Sequence, residues 1–363
     1  MDVNVLLRGQ SNAVYFMDFG GLSVVQNEVQ QLLGFDGANE KVNIIASAYD
    51  PGGKNTIDPA TVFLTDWMRQ NSDGSWSVNT LEQGLLNTIT NLPAAEKADP
   101  TAVVWLHNEY DAIQPGLTAA TWMSAVQTDA VLVRQAFGQD AVHVPYLFVD
   151  AIPYDNADPS SNQQIKVGMQ QFAADPTFHA RIAAHINDAN MDHDGYFGGS
   201  HMGARDVSTL ADRLARAIAE TFVQYAQPGA PILQAGGNID DHGPQVVAAQ
   251  VANPTDLILT VQHDAAGGFS PLDATAASGV GWSVVGAGIT AQATATWIID
   301  ATHLDVHFDN GIPANGLLYY GYGVGRLAGA DGGGQGSAVY DDQGLPIWAS
   351  ATGVAVDYHL FGS

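Results

Sequence analysis

The chain has 363 residues, 46% of them hydrophobic and 14% charged, a balance that builds packed cores and not a disordered chain. Its 38 acidic side chains against 12 basic ones give a net charge of -26. With no cluster of Lys and Arg to displace counterions, this argues against nucleic acid and anionic membrane surfaces as partners. The absence of cysteine removes disulfides, thiolate metal sites and a cysteine nucleophile.

The length predicts two domains at roughly 100–200 residues each. No apolar run approaches the ~20 residues of a membrane span, so no membrane insertion is expected. The first residues lack the basic-then-apolar pattern of a signal peptide. The acidic, glycine-rich, cysteine-free composition is nonetheless what a chain secreted by a bacterium would carry. No feature indicates an oligomeric state.

In chain order, residues 3–7 (VNVLL), 42–48 (VNIIASA), 102–107 (AVVWLH) and 142–149 (VHVPYLFV) read as buried strands. Helix-period segments at 21–34, 80–93 and 118–138 lie between them, which predicts a parallel sheet with helices on both faces. A last helix over 206–226 repeats Leu210, Leu214, Ile218 and Phe222 every four residues and should lay that face on the sheet. From about residue 229 the texture changes. Segments 256–264, 293–300, 303–308 and 317–323 alternate and are punctuated by Gly, Pro and Asn, which predicts an antiparallel β-sandwich. The expected division is an α/β/α domain over 1–228 and an all-β domain over 229–363.

Ligands of open parallel sheets bind at the carboxyl ends of the strands. After the first strand comes Gly9-Gln10-Ser11-Asn12, after the second Gly52-Gly53, and after the third His107-Asn108-Glu109-Tyr110-Asp111. His201 falls just before the last helix. This order of blocks resembles the SGNH (GDSL-like) hydrolases, and among them the sialate O-acetylesterase-like carbohydrate esterases, across residues 3 to about 225. The resemblance implies Ser11 as nucleophile, Gly53 as a backbone oxyanion donor and His201 as catalytic base. In the third block the family often has glutamine as amide donor. Here His107 stands there and Asn108 follows. Asn108 is the better candidate because a neutral amide always donates, whereas a histidine's donor depends on its tautomer.

The family's aspartate three residues before the histidine is Gly198 in this chain. Asp194 is the preferred substitute and Asp192 the alternative, with a Ser-His dyad oriented by a backbone carbonyl as a further one. The chemistry fits these residue types. A serine hydroxyl needs a base to become a nucleophile. An imidazole takes that proton and returns it to the leaving alkoxide. The oxyanion needs fixed donors.

The same loop also carries Asp188, Asn190, Asp192, Asp194 and Gly195, alternating oxygen ligands like the first half of a calcium loop. The glutamate of a full EF-hand is absent, leaving a looser calcium site as an open expectation. No HxH or HExxH spacing occurs, so zinc is not expected. Glu109 and Asp111 read as anchors of their own loop. Trp67, Trp76 and Trp122 are expected mostly in the core, an exposed one being able to stack on a sugar.

In the second domain, Arg326 and the Gly344-Leu345-Pro346 turn are similar to the tail of sialate O-acetylesterase-like proteins, which implies a tail that packs back on the first domain. The expected function is a cofactor-independent serine esterase removing acetyl or other short acyl groups from a carbohydrate or small ester. The alternatives are a lipase, thioesterase or acyltransferase on the same site, or a non-enzymatic carbohydrate-binding or surface protein on a decayed hydrolase fold.

Overall fold

The computed structural model describes every residue except 151, 155, 192, 194–198, 328–336 and 360–363. In chain order the first domain comprises β1 (Val3–Gly9), α1 (Ser11–Asp18), α2 (Gly21–Leu33), β2 (Val42–Ile45), a small hairpin of β3 (Met68–Gln70) and β4 (Trp76–Val78), α3 (Thr80–Thr90), α4 (Ala94–Ala98), β5 (Thr101–Leu106), α5 (Ala119–Phe137), β6 (Tyr146–Val149), α6 (Pro159–Ala174), β7 (Ala180–Ala184) and α7 (Ala204–Thr221). The five large strands form one sheet in the order β2-β1-β5-β6-β7, parallel throughout. The winding reverses between β1 and β5, so their carboxyl ends flank the crevice where such sheets bind ligands.

The period-2 alternation of each strand feeds two cores. Val3, Val5 and Leu7 of β1 pack with α1, α2 and α7 on one face. Leu6, with Val103 and Trp105 of β5, packs with α3, α5 and α6 on the other. Leu210, Leu214, Ile218 and Phe222 are all buried on the first face, as their spacing predicts. Local chemistry sets the helix ends. The Thr118 hydroxyl accepts from Thr121 N to start α5, and Gly138 at φ 72° ends it. Asp158 accepts from Ser161 N and Pro159 opens α6. Such caps contribute about 1 kcal/mol each.

After α7 the chain forms α8 (Pro231–Gln234), β8 (Gln245–Asn253), β9 (Asp256–Gln262), α9 (Ala274–Ala277), β10 (Trp282–Gly286), β11 (Ile289–Gln292), β12 (Ala295–Ile298), β13 (His303–His307), β14 (Leu317–Tyr320) and β15 (Val354–Asp357). Ala230 and Ile232 still belong to the first core, so the β layer begins at Gln245. Its strand order is β11-β10-β14-β15-β8-β9-β13-β12, with β15–β8 the one parallel pair. β11 and β12 stand at opposite ends of that order, yet only Ala293 and Thr294 separate them. The sheet must therefore curl until its ends meet, enclosing a single core of Trp282, Leu257, Leu304 and Leu318 among others. The result is sandwich-like.

α6 and β7 are absent from the periodicity reading, and the contacts explain why. Asn162, Gln163 and Lys166 break the apolar pattern of α6, yet all three are buried. Asn162 Nδ2 donates to Gly323 O, Gln163 Nε2 to Ala351 O and Lys166 Nζ to Gly321 O. The polar face of α6 is thus an inner face, satisfied by loop carbonyls of the β domain. Among the described residues no helix is long and apolar enough to cross a membrane.

Candidate active site

Packing explains the glycine of the Gly9-Gln10-Ser11-Asn12 block. A Cβ on Gly9 would lie 2.1 Å from Leu106 O and 2.6 Å from Ala13 Cβ. Only glycine lets β5 and α1 approach this closely. α1 then begins at once, with Gln10 O accepting from Ala13 N at 2.9 Å and Val14 N at 3.1 Å. Ser11 is therefore the first residue of α1 and half-buried. Its N–H belongs to the first helical turn, where amides have no intrahelical acceptor and the helix dipole favours negative charge.

Asn12 ties three distant blocks together. Its Nδ2 donates to Glu109 Oε1 at 2.8 Å and to Ser200 O at 3.2 Å, and its Oδ1 accepts from Met202 N at 3.0 Å. The last two bonds bracket His201. The His201 ring packs on Tyr15, centroids 4.7 Å apart, and Tyr15 lies four residues after Ser11, on the same side of α1. His193 N donates to His201 O at 3.1 Å, and the His193 ring also packs on Tyr15, at 4.4 Å. The His201 segment thus packs on the first turns of α1, the helix that Ser11 opens. The sequence reading named Asn12 only as part of a motif and gave it no role, because its partners lie 97 to 190 positions away.

Asn108 sits at the end of β5 with φ 105°, a left-handed conformation that costs a non-glycine residue energy and collects at functional sites. Its Oδ1 accepts from Trp122 Nε1 at 2.9 Å and Trp105 Nε1 at 3.3 Å. Two indoles therefore fix the orientation of the amide, and its buried Nδ2 has no partner. An unpaired donor held in a fixed orientation is what an oxyanion requires. Trp67 and Trp122 are fully buried, and Trp76 is half-buried with its Nε1 on Ser124 Oγ at 2.8 Å. The side-chain amide of Gln10 is a second buried group without partners.

Gly53 follows β2 in an exposed turn at φ 70°, and its N–H donates to Asp50 O at 3.0 Å. That donor is engaged within the turn. Asp194 and Asp192, the candidate acids, lie outside the described residues, as does Gly195. Asp188, the first oxygen of the expected calcium loop, is held by Arg213 through Nη1 at 2.8 Å and Nη2 at 2.7 Å, and its Oδ2 also accepts from Tyr340 Oη. Burial opposes its charge, but Arg213 more than offsets this and holds the Asp188 carboxyl below its usual range. Both its oxygens are engaged by Arg213 and Tyr340. Asn190 is buried in the same turn, with its N–H towards Asp206 Oδ1 at 3.4 Å.

Beneath the site lies a charge that the sequence reading passed over. Arg8 is fully buried on β1, on the face of α3 and α5. It pairs with Asp129, with Glu82 at 3.0 Å and with His107 Nε2 at 3.3 Å, between the rings of Phe63, Trp67 and Trp105. Burial lowers the Arg8 pKa, but Asp129 and Glu82 more than offset this, and it stays charged. Burial and then Asp129 push Glu82 well above the usual carboxylate range, against the pull of Arg8. Burial and the Arg8 charge hold His107 neutral. His107 thus belongs to this buried box, and Asn108 is left as the amide at the site.

Glu109 and Asp111 anchor the loop as expected, but reach beyond it. Burial raises both to about 7, against the hydrogen bonds that Glu109 accepts from Asn12 and that Asp111 accepts from Leu64 N and Phe63 N. From the second domain, Arg326 Nη2 donates to Pro153 O at 2.6 Å and to Gly199 O at 3.1 Å, two residues before His201. The tail does pack on the first domain.

No protein-family model matches the chain, and no curated protein matches it. Among solved structures, a carbohydrate acetylesterase from Xanthomonas citri is similar at 13% identity and a TM-score of 0.57, over 96% of this chain and 79% of that one. TesA aligns at 12% identity over 61% of this chain and 99% of its own, with a TM-score of 0.37. The N-terminal part of the S-layer protein SbsC aligns at 11% identity and a TM-score of 0.23, over 43% of this chain and 41% of that one. The last two scores are too low to carry an argument. The first shows the fold: a three-layer α/β/α domain followed by a β domain.

Proposed function

We propose that the chain is a serine esterase that removes acetyl or other short acyl groups from a carbohydrate. The observation that carries this reading is Asn12, whose side chain holds the residues on both sides of His201 against the helix that Ser11 opens. Few structural roles need an amide to join these segments at the carboxyl ends of β1 and β5. The structural neighbour from Xanthomonas citri is a carbohydrate acetylesterase, which supports the substrate class.

In this mechanism Ser11 Oγ attacks the ester carbonyl carbon while His201 takes its proton. The tetrahedral oxyanion is held by the Ser11 N–H and by Asn108 Nδ2, with Gly53 N–H as a third donor once its bond to Asp50 O is given up. Collapse breaks the ester C–O bond, and His201 returns the proton to the departing sugar alkoxide. Water then attacks the acyl-serine, His201 taking its proton and handing it back to Ser11 Oγ as the carboxylic acid leaves. Asp194 orients His201 in this scheme. No cofactor takes part.

The test is release of p-nitrophenol from p-nitrophenyl acetate by wild type, Ser11→Ala and His201→Ala, with acetate release from acetylated xylan in parallel. Loss of nearly all turnover in both variants supports the mechanism. Equal turnover in all three overturns it.

A further inference from the structure

A second feature lies at the far side of the first domain, along β7. This strand is the sheet's outer edge, three strand spacings from β1, or about 14 Å at ~4.8 Å per strand. Between it and the β domain run two adjoining cavities, of about 330 Å³ and about 300 Å³. They share His242, Gln245 and Trp348. Gln170 and His185 wall the first, and Gln262 the second. Each volume is within the range of small-molecule sites.

The walls specify a chemistry. The Trp348 indole is half-buried, backed by the His185 ring at 5.2 Å and 18°, and its Nε1 is buried with no acceptor. The amides of Gln245 and Gln262 form no hydrogen bond with any described residue, although each can donate and accept. The one cation, Arg181, is already paired with Asp241 and lies 3.9 Å from Glu220. Burial and Arg181 hold His242 down at about 4, so it is neutral and both donates and accepts. An anionic ligand would find no free cation here and would face a chain of net charge -26. Beside the paired Arg181 and the carboxylate of Asp264, the groove offers the Trp348 ring, the neutral side-chain amides of Gln170, Gln245 and Gln262, and the neutral imidazole of His242. That set recognises rings bearing many hydroxyls, which are apolar on their faces and both donate and accept at their edges.

We infer that the groove centred on Trp348, Gln245 and Gln262 binds a neutral oligosaccharide, at a site separate from the Ser11 crevice. If the esterase reading holds, this site anchors the polymer while the ester is cut elsewhere on the same face or on a neighbouring chain. The binding itself stands without that reading.

Isothermal titration calorimetry of the full chain carrying Ser11→Ala tests it, with xylohexaose, cellohexaose and N-acetylchitohexaose as probes at millimolar concentration. The expected result is saturable binding of at least one probe. Trp348→Ala should weaken it about tenfold, Gln245→Ala should weaken it less, and Trp348→Phe, which keeps a ring but loses the N–H, should fall between wild type and Trp348→Ala. Because Trp348→Ala could loosen the domain junction, the Phe and Gln245 variants are read alongside thermal melts. No binding of any probe overturns the inference, as does binding that all three folded variants leave unchanged. Turnover of p-nitrophenyl acetate by Trp348→Phe in the Ser11 background of the wild type should equal that of the parent. This separates failure of the groove from failure of the esterase site.

Discussion

Replacing Asn12 with alanine probes how the site is assembled. The side chain is fully buried and makes three hydrogen bonds. Its loss leaves the Met202 N–H and Glu109 Oε1 buried without partners, at about 1–3 kcal/mol each. Relaxation of the 199–202 segment recovers part of that cost, so about 3–4 kcal/mol of the coupling between that segment and α1 should disappear. This energy holds His201 in position and not the whole domain. At ~1.36 kcal/mol per decade of rate, the expected loss is about 10²–10³-fold in kcat for p-nitrophenyl acetate, with KM changed much less. A thermal melt of the same sample should show an intact cooperative transition. A folded Asn12→Ala chain whose kcat stays within about threefold of wild type would refute the clamp.

Other outcomes follow from the buried groups. Asn108→Ala should lower kcat by about 10²–10³-fold at similar KM, whereas a melting shift without a kinetic effect would reduce it to an indole acceptor. Glu109 and Asp111 have folded pKa values raised to about 7, so the native state binds their protons more tightly than the unfolded chain does. Their contribution is therefore complete below about pH 4 and lost as pH rises to about 7, on the order of 3–4 kcal/mol each. Denaturant titrations across that window should show the slope, and Glu109→Gln and Asp111→Asn should each flatten it. Arg8→Met strands the Asp129 charge in the core and should cost about 3–5 kcal/mol, while Arg8→Met with Glu82→Gln and Asp129→Asn should recover most of it. Equal stability of the single and triple variants would contradict the network.

The alternating strands and the four-residue repeat of α7 are legible because the residues that carry those patterns, such as Leu210, Leu214, Ile218 and Phe222, are apolar and buried. α6 escaped because its inward face is polar, and that face makes sense only once the β-domain carbonyls that accept from Asn162, Gln163 and Lys166 are in place. β7, with the short alanine-rich sequence ARIAA, offers almost no signal of its own. Motif order pointed to Ser11, Asn108 and His201 as candidates, since each follows a strand or precedes a helix. It gave no hint that Asn12 joins them, or that two tryptophans aim the Asn108 amide. One clue was present: Arg8 stands alone in an apolar strand, and a buried charge demands partners. The partners Glu82 and Asp129 come from helices 74 and 121 residues away, beyond the reach of any local pattern.

The central claim is that Ser11 forms the covalent intermediate. Labelling the intact chain with a fluorophosphonate and mapping the adduct by peptide mass spectrometry tests it most directly. The account predicts a single adduct on Ser11, absent from Ser11→Ala and much slower to form in His201→Ala. A wild-type chain that hydrolyses p-nitrophenyl acetate while the adduct sits elsewhere, or that neither labels nor turns over, would contradict it.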